Sequence, residues 1–90
     1  MKNDLEEFLN KKIVMDSNSS WIYIGTLEKV TDHCAVLSNA DAHYNDDTHT
    51  SKELYVLESK ITGIKINRQY VYVNLSHVIS FSLLDDVKEY

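Results

Sequence analysis

The sequence predicts a mainly β chain: a small, bent, five-stranded SH3-like barrel with a short N-terminal helix and a second helix inserted between strands 3 and 4. Three observations lead there. Five short runs rich in aromatic and β-branched residues are separated by polar turns. Two other segments switch to helical spacing and carry capping signals. A chain with two glycines and no proline also places Gly25 in the middle of its most strand-like run. A glycine there marks a bend or bulge of the kind that closes a small barrel.

Taken in order, "NDLEEFL" predicts a helix over 3–9: Leu5, Phe8 and Leu9 recur at helical spacing, Asn3 caps it and Glu6 completes a capping box. "KKIVMD" predicts a strand at about 12–16, ended by the polar turn "SNSS". "WIYIGTLEKV" follows as a strand over 21–30, then the tight turn "TDH" and a strand over 34–39 in "CAVLSNA". "TSKELYVLESKITG" reads as a helix over 51–62. Thr50 and Glu53 form a T-x-x-E capping box, Leu54, Leu57 and Ile61 share a face, and Gly63 stands at the C-cap position. Alternation resumes in "RQYVYVNL", a strand over 69–75 with Val71, Val73 and Leu75 on one face and Tyr70 and Tyr72 on the other. After the turn "NLSH" comes a last strand over 78–83, and the charged tail 85–90 is expected to fray.

The bulk numbers bound the function. Ninety residues make one domain, 1–90, and bury only about 60–65% of the unfolded surface, so association helps such a chain. Fourteen acids against nine bases give a formal charge of −5, which disfavours indiscriminate coating of DNA or anionic lipid. The single Cys34 makes no intramolecular disulfide and reads as a reduced core thiol. The first ten residues carry no signal-peptide pattern and no apolar run approaches a membrane span, so a cytoplasmic location without membrane contact is expected.

Two chemistries can be weighed from the residues. "NADAHYNDDTHTSKE" gathers Asp41, His43, Asp46, Asp47 and His49, a donor set that zinc or manganese accepts, with Asp41 and His43 pointing the same way from an extended segment. Its spacing matches no zinc finger, EF-hand loop or H-E-x-x-H helix. A polar joint leading into a capped helix explains the same residues, and that reading is preferred, with no cofactor expected. Catalysis has no constellation. His33 and Cys34 are strand neighbours that point to opposite faces, and a five-stranded barrel fills its interior with side chains.

The stretch "YIGTLEKVTDHCAVL" resembles the first Sm motif of the Sm and Lsm proteins. Tyr23, Gly25, Leu27 and Val30 fall on its aromatic-x-Gly-x-Leu pattern, and Leu37 fits its distal apolar position. "SHVIS" is similar to the second motif of the bacterial Hfq family at His77, Ile79 and Ser80. The order of elements agrees, and the resemblance covers residues 3–39 and 69–84. It implies an Sm-like fold whose subunits join into a homo-oligomeric ring of about five to seven copies with RNA as the ligand class. It further implies that the turns "TDH", "NRQ" and "NLSH" gather around a pore, bringing Asp32, His33, Asn67, Arg68 and His77 into play, with Tyr70 stacking bases beside Tyr72.

The departures are specific. Sm proteins hold uridine with an Asp and an Asn, where this chain has Thr31 and Ala35; Asp32 is displaced by one position. The lysine that precedes the Hfq histidine is Ser76, and standard members have a loop where this chain carries its second helix. The uridine pocket therefore does not transfer. A structural or adaptor ring with a protein partner is the alternative, since it requires none of these residues.

Overall fold

The computed structural model describes residues 1–45 and 51–89. The elements run α1 (Lys2–Glu6), β1 (Lys12–Ser17), β2 (Trp21–Val30), β3 (Cys34–Tyr44), α2 (Lys52–Thr62), β4 (Arg68–Asn74), a 3-10 turn (Leu75–His77), β5 (Val78–Leu83) and a second 3-10 turn (Leu84–Asp86). The strands form one antiparallel sheet in the order β4-β3-β2-β1-β5. The predicted mainly β fold with an N-terminal and an inserted helix is the observed one.

The sheet is strongly bent, and β2 shows it. Val30 pairs with Ala35 and Ala35 with Val73, yet Trp21, at the other end of β2, borders a cavity together with Val73 and Asn74. A straight ten-residue strand would separate its ends by about 30 Å, so β2 must fold back toward the same end of β4. The bend lies at Gly25, where the β2–β3 register shifts. A Cβ on Gly25 would meet the Ala40 Cβ at 2.9 Å, the Ser38 carbonyl oxygen at 3.0 Å and the Leu37 Cβ at 3.1 Å. Space, rather than an unusual φ, requires glycine here. Opposite it, Asn39 takes a left-handed φ of 46° and supplies the extra residue of the bulge.

Apolar residues are buried on both faces. Under α1, Leu5, Ile13, Met15, Leu27, Leu37, Val73, Leu75 and Val78 form one cluster, with Phe8 and Phe81 in edge-to-face contact at 5.9 Å beside it. On the opposite face, Val14, Ile22 and Ile24 pack against Tyr55 and Val56 of α2 and against Leu84. This explains why β1 reads "KIVMDS" without clean alternation: α2 covers the face that would otherwise be wet.

Five sequence expectations change. The N-terminal helix ends at Glu6, not at 9, and Met1 is its N-cap without a side-chain bond, so Asn3 does not cap it. The chain leaves the helix early because Asn10 N–H donates to the Leu27 carbonyl and Leu27 N–H to the Lys11 carbonyl, pairing this segment with β2 instead. The third strand extends to Tyr44 rather than 39, because the Asn39 bulge interrupts alternation without ending the ladder. The cap of α2 is Ser51, whose side chain accepts from Leu54 N–H; Thr50 lies outside the described residues. The buried face of α2 carries Tyr55, Val56 and Ser59, while Leu54 and Ile61 are exposed. The tail is also partly pinned, since Val87 packs at the α2 cluster and its carbonyl accepts from Lys60 Nζ at 2.6 Å.

Candidate nucleic-acid interface

Two turns come together at one end of the sheet. In the β2–β3 turn, the Thr31 hydroxyl accepts from Cys34 N–H at 2.9 Å and His33 N–H at 3.2 Å, which fixes the tight bend and leaves Asp32 and His33 exposed at its tip. The β4–β5 turn is capped by Asn74, whose Oδ1 accepts from Ser76 N–H at 3.0 Å and Ser76 Oγ at 2.9 Å. Leu75 N–H donates to the His33 carbonyl at 2.9 Å and joins the two turns. A cavity of about 440 Å³ opens there, lined by Met1, Lys2, Asp32, His33, Asn74, Leu75 and Ser76. Lys2 Nζ stands 3.4 Å from Asp32 Oδ1 at its rim, an exposed pair that contributes little to stability.

A second cavity, about 420 Å³, lies on the other side of the β4–β5 turn. Ser17, Asn18 and Ser19 of the β1–β2 turn, Trp21 and Tyr23 of β2, and Val73, Asn74 and His77 line it. Asn18 N–H donates to the His77 carbonyl at 2.9 Å, so this turn too is tied to the same end of the molecule. Asn74 borders both cavities.

Sequence reasoning placed "NRQ" in the same circle, and the geometry separates it. Ala40 pairs with Arg68 whereas Cys34 pairs with Asn74. Asn67 and Arg68 are therefore at the far end of β4, about 20 Å away along the strand. The Asn67 side chain acts as an extra peptide unit for β3. Its Oδ1 accepts from Ala42 N–H at 3.0 Å, and its Nδ2 donates to the Ala42 carbonyl at 3.1 Å and to Asp41 Oδ1 at 2.9 Å. Arg68 is exposed, with Nη1 donating to the Asn67 carbonyl. Tyr70 and Tyr72 are exposed but sit on the face opposite Val71 and Val73, and neither borders the two cavities beside the turns.

Asp41 and His43 share the α2 face of β3, paired with Ile24 and Ile22. Asp41 is 2% exposed, and burial raises its carboxyl above the ordinary aspartate value of 3.8, partly offset by His43, Lys65 and the Asn67 hydrogen bond. The His43 ring stacks on Tyr55 with centroids 3.7 Å apart. Among the described residues no group of three or more His, Cys, Asp or Glu is placed to hold a metal. Asp46, Asp47 and His49 lie outside the described residues. No helix is long and apolar enough to cross a membrane among the described residues.

The sequence reading missed Lys2, Asn18, Trp21, Tyr23 as a cavity wall, Asn74 and Ser76. A signal existed for one of them: Trp21 is the only tryptophan and directly follows the polar turn "SNSS". The others depend on the bend at Gly25, which local sequence does not locate in space.

No protein-family model matches the chain, and no curated protein matches it in sequence. Solved structures do match. The Pyrococcus abyssii Sm protein, in complex with a uridine heptamer, aligns with a TM-score of 0.62 at 14% identity, covering 90% of this chain and 93% of that one. The P. aerophilum SmAP1 heptamer aligns with a TM-score of 0.59 at 17% identity, covering 90% of this chain and 88% of that one. The chain has the Sm fold.

Proposed function

We propose that this chain is a ring-forming Sm-like module that acts by binding RNA rather than by catalysis. The observation that carries it is the open sheet. β4 and β5 stand at its two ends, each with one edge unpaired among the described residues. Neither strand contains a proline or lysine, the usual protections of a free edge, and Tyr72 at 70% and Ile79 at 64% exposure are apolar surface along them. Pairing β4 of one subunit with β5 of the next satisfies both edges, and a head-to-tail contact of this kind closes into a ring. Both Sm structures above support the reading, one being a heptamer and the other a complex with a uridine heptamer. A ring of about five to seven subunits follows by that analogy.

In such a ring the joined turns repeat around the axis. His33, Asn74, Ser76 and His77 then supply hydrogen-bonding groups to a single strand, while Asp32 keeps phosphates from packing against the tip. The formal charge of −5 favours contact through bases over phosphate tracking and is the feature that favours the adaptor alternative.

Light scattering coupled to gel filtration at micromolar concentration tests the assembly; masses near five to seven times 10.4 kDa are expected, and a 10.4 kDa monomer overturns the ring. Binding of short RNA oligomers that weakens linearly with log salt supports the RNA reading; a ring that binds none is the adaptor.

A further inference from the structure

The helix α2 has two apolar sides, and the fold uses one of them. Tyr55, Val56 and Ser59 face the sheet and are buried. Leu54, Leu57 and Ile61 lie on the opposite side at the i, i+3, i+7 spacing of a coiled-coil seam. Leu54 is 46% and Ile61 69% exposed, and Leu57 is half-buried between them. A helix already tied to its own sheet needs no second apolar stripe, and three large side chains in one line differ from singly scattered surface hydrophobics.

The stripe is complementary to itself. Glu53 in the first turn and Lys60 in the last flank it on the same side. Neither has an ion-pair partner among the described residues. Lys60 Nζ donates to the Val87 carbonyl at 2.6 Å, which leaves it further protons for another acceptor. Laid antiparallel on a second copy of itself, with Leu57 at the crossing, α2 sets each Glu53 opposite Lys60 of the other copy and each helix dipole against its reverse. A parallel arrangement sets Glu53 against Glu53. Ser51, Glu53, Leu54 and Leu57, with Lys88 and Glu89 of the tail, line a groove of about 270 Å³ beside the N-terminal half of α2. In the antiparallel arrangement that groove is the place Ile61 of the second copy reaches, the most exposed side chain of the stripe fitting its largest recess.

We propose that the outer stripe of α2 is a docking surface for α2 of a second copy of this chain, and that in the assembled protein it joins two rings face to face. Area decides for a second ring over a lone second chain. An 11-residue helix is about 16 Å long, so one α2–α2 contact buries roughly 400 Å² in all. That is about a third of the roughly 1,200 Å² that a specific interface needs. A ring repeats the stripe about five to seven times with matching symmetry, for roughly 2,000–2,800 Å², and makes every contact after the first intramolecular. The two-fold relation of each antiparallel pair is also the operation that turns one ring onto another. The multiplication rests on the ring reading above; the pairing of two helices does not.

Light scattering of the full chain from micromolar to millimolar concentration tests this, together with oxidation of Leu57→Cys in a Cys34→Ala background. Wild type is expected at twice the single-ring mass, falling to one ring on dilution, and Leu57→Cys is expected to cross-link into pairs on a non-reducing gel. Ile61→Lys and Glu53→Lys should each raise the concentration at which double rings half-dissociate by about a hundredfold. Circular dichroism and the single ring should stay unchanged, because both side chains are exposed. Combining Glu53→Lys with Lys60→Glu exchanges the charges and should restore double rings. Single rings at every concentration refute the docking surface and leave the ring standing. Double rings that Ile61→Lys and Glu53→Lys leave intact meet through another face, which also refutes it. Monomers that cross-link through Leu57→Cys keep the helix pairing and overturn the ring; monomers that do not cross-link overturn both.

Discussion

At its first residues β4 is joined by Asn67, whose amide reaches both backbone groups of Ala42 and the carboxylate of Asp41. At its last, Asn74 commits one oxygen to capping the next turn and keeps its amide nitrogen, beside a His77 whose ring has no hydrogen bond among the described residues. The two ends read alike in sequence, as "NRQ" and "NLSH", each polar, each ending a tyrosine-rich strand. One is a clasp between strands and the other an open rim between two cavities. The difference is in what lies opposite. Asn67 faces the unpaired edge of the extended β3, which needs partners, whereas Asn74 and His77 face turns that are already satisfied. A polar side chain becomes available for a ligand when its neighbours have completed their own hydrogen bonds.

The largest effect should come from removing the bend that brings the two turns to one end. Gly25→Val puts branched carbon against Ala40, Leu37 and the Ser38 carbonyl, none of which can move without the strand. A loss of about 3 kcal/mol is expected, the upper part of the overpacking range. Denaturant unfolding measures it, and an unaltered midpoint would mean that β2 does not turn at Gly25.

The comparison itself is tested by a pair of variants. Asn67→Ala strips three hydrogen bonds and leaves the buried Asp41 without its amide donor, for an expected loss of about 2 kcal/mol. His77→Ala should change stability by less than about 0.5 kcal/mol, as surface substitutions do. RNA affinity should respond the other way round, falling for His77→Ala alone. Equal stability losses would erase the distinction between clasp and rim.

Asp41 sharpens the clasp through pH. Its carboxyl is held above the ordinary 3.8, so between that value and its folded one the native state binds more protons than the unfolded state. Its contribution is therefore most favourable below 3.8 and declines as pH rises through the window. Asp41→Asn keeps an oxygen for Asn67 and removes the buried charge. The variant should be more stable than wild type at pH 7, with the gap closing as pH falls below 3.8. A gap that widens on acidification would reverse the sign and the cause.

Legibility in the sequence followed how local each feature is. The five strands and α2 were readable because β-branched and aromatic runs, polar turns, helical spacing and Gly63 act over a few positions. The end of β3 was not, since Asn39 interrupts the period with a bulge that only the facing Gly25 explains. The buried face of α2 was misjudged by one residue because Leu54, Leu57 and Ile61 look more apolar than Tyr55 and Ser59, yet Ile22 and Ile24 meet the latter side. Of the site, Asp32, His33 and His77 were readable as turn residues, while Trp21 and Asn18 arrive there only through the fold of β2.

The smallest expected effect is none, on removing divalent metal. Asp41 and His43 keep the same-face spacing that raised the question, but each already has a partner: Asp41 Oδ1 accepts from Asn67, and the His43 ring lies flat on Tyr55. A cation would have to displace the clasp to reach that oxygen and tilt the ring off its stack. Were one bound at a hundred times its dissociation constant, it would contribute about 2.7 kcal/mol to folding. For a domain of this size each kcal/mol moves the melting temperature by about 4–8 °C, so chelation would lower it by well over 10 °C on the same scale. Treatment with EDTA should instead leave the melting temperature within about 1 °C. A large drop that zinc or manganese restores would show that His49 and its acidic neighbours complete a site with Asp41 and His43, and that the Asn67 end of β4 is a ligand rim as well.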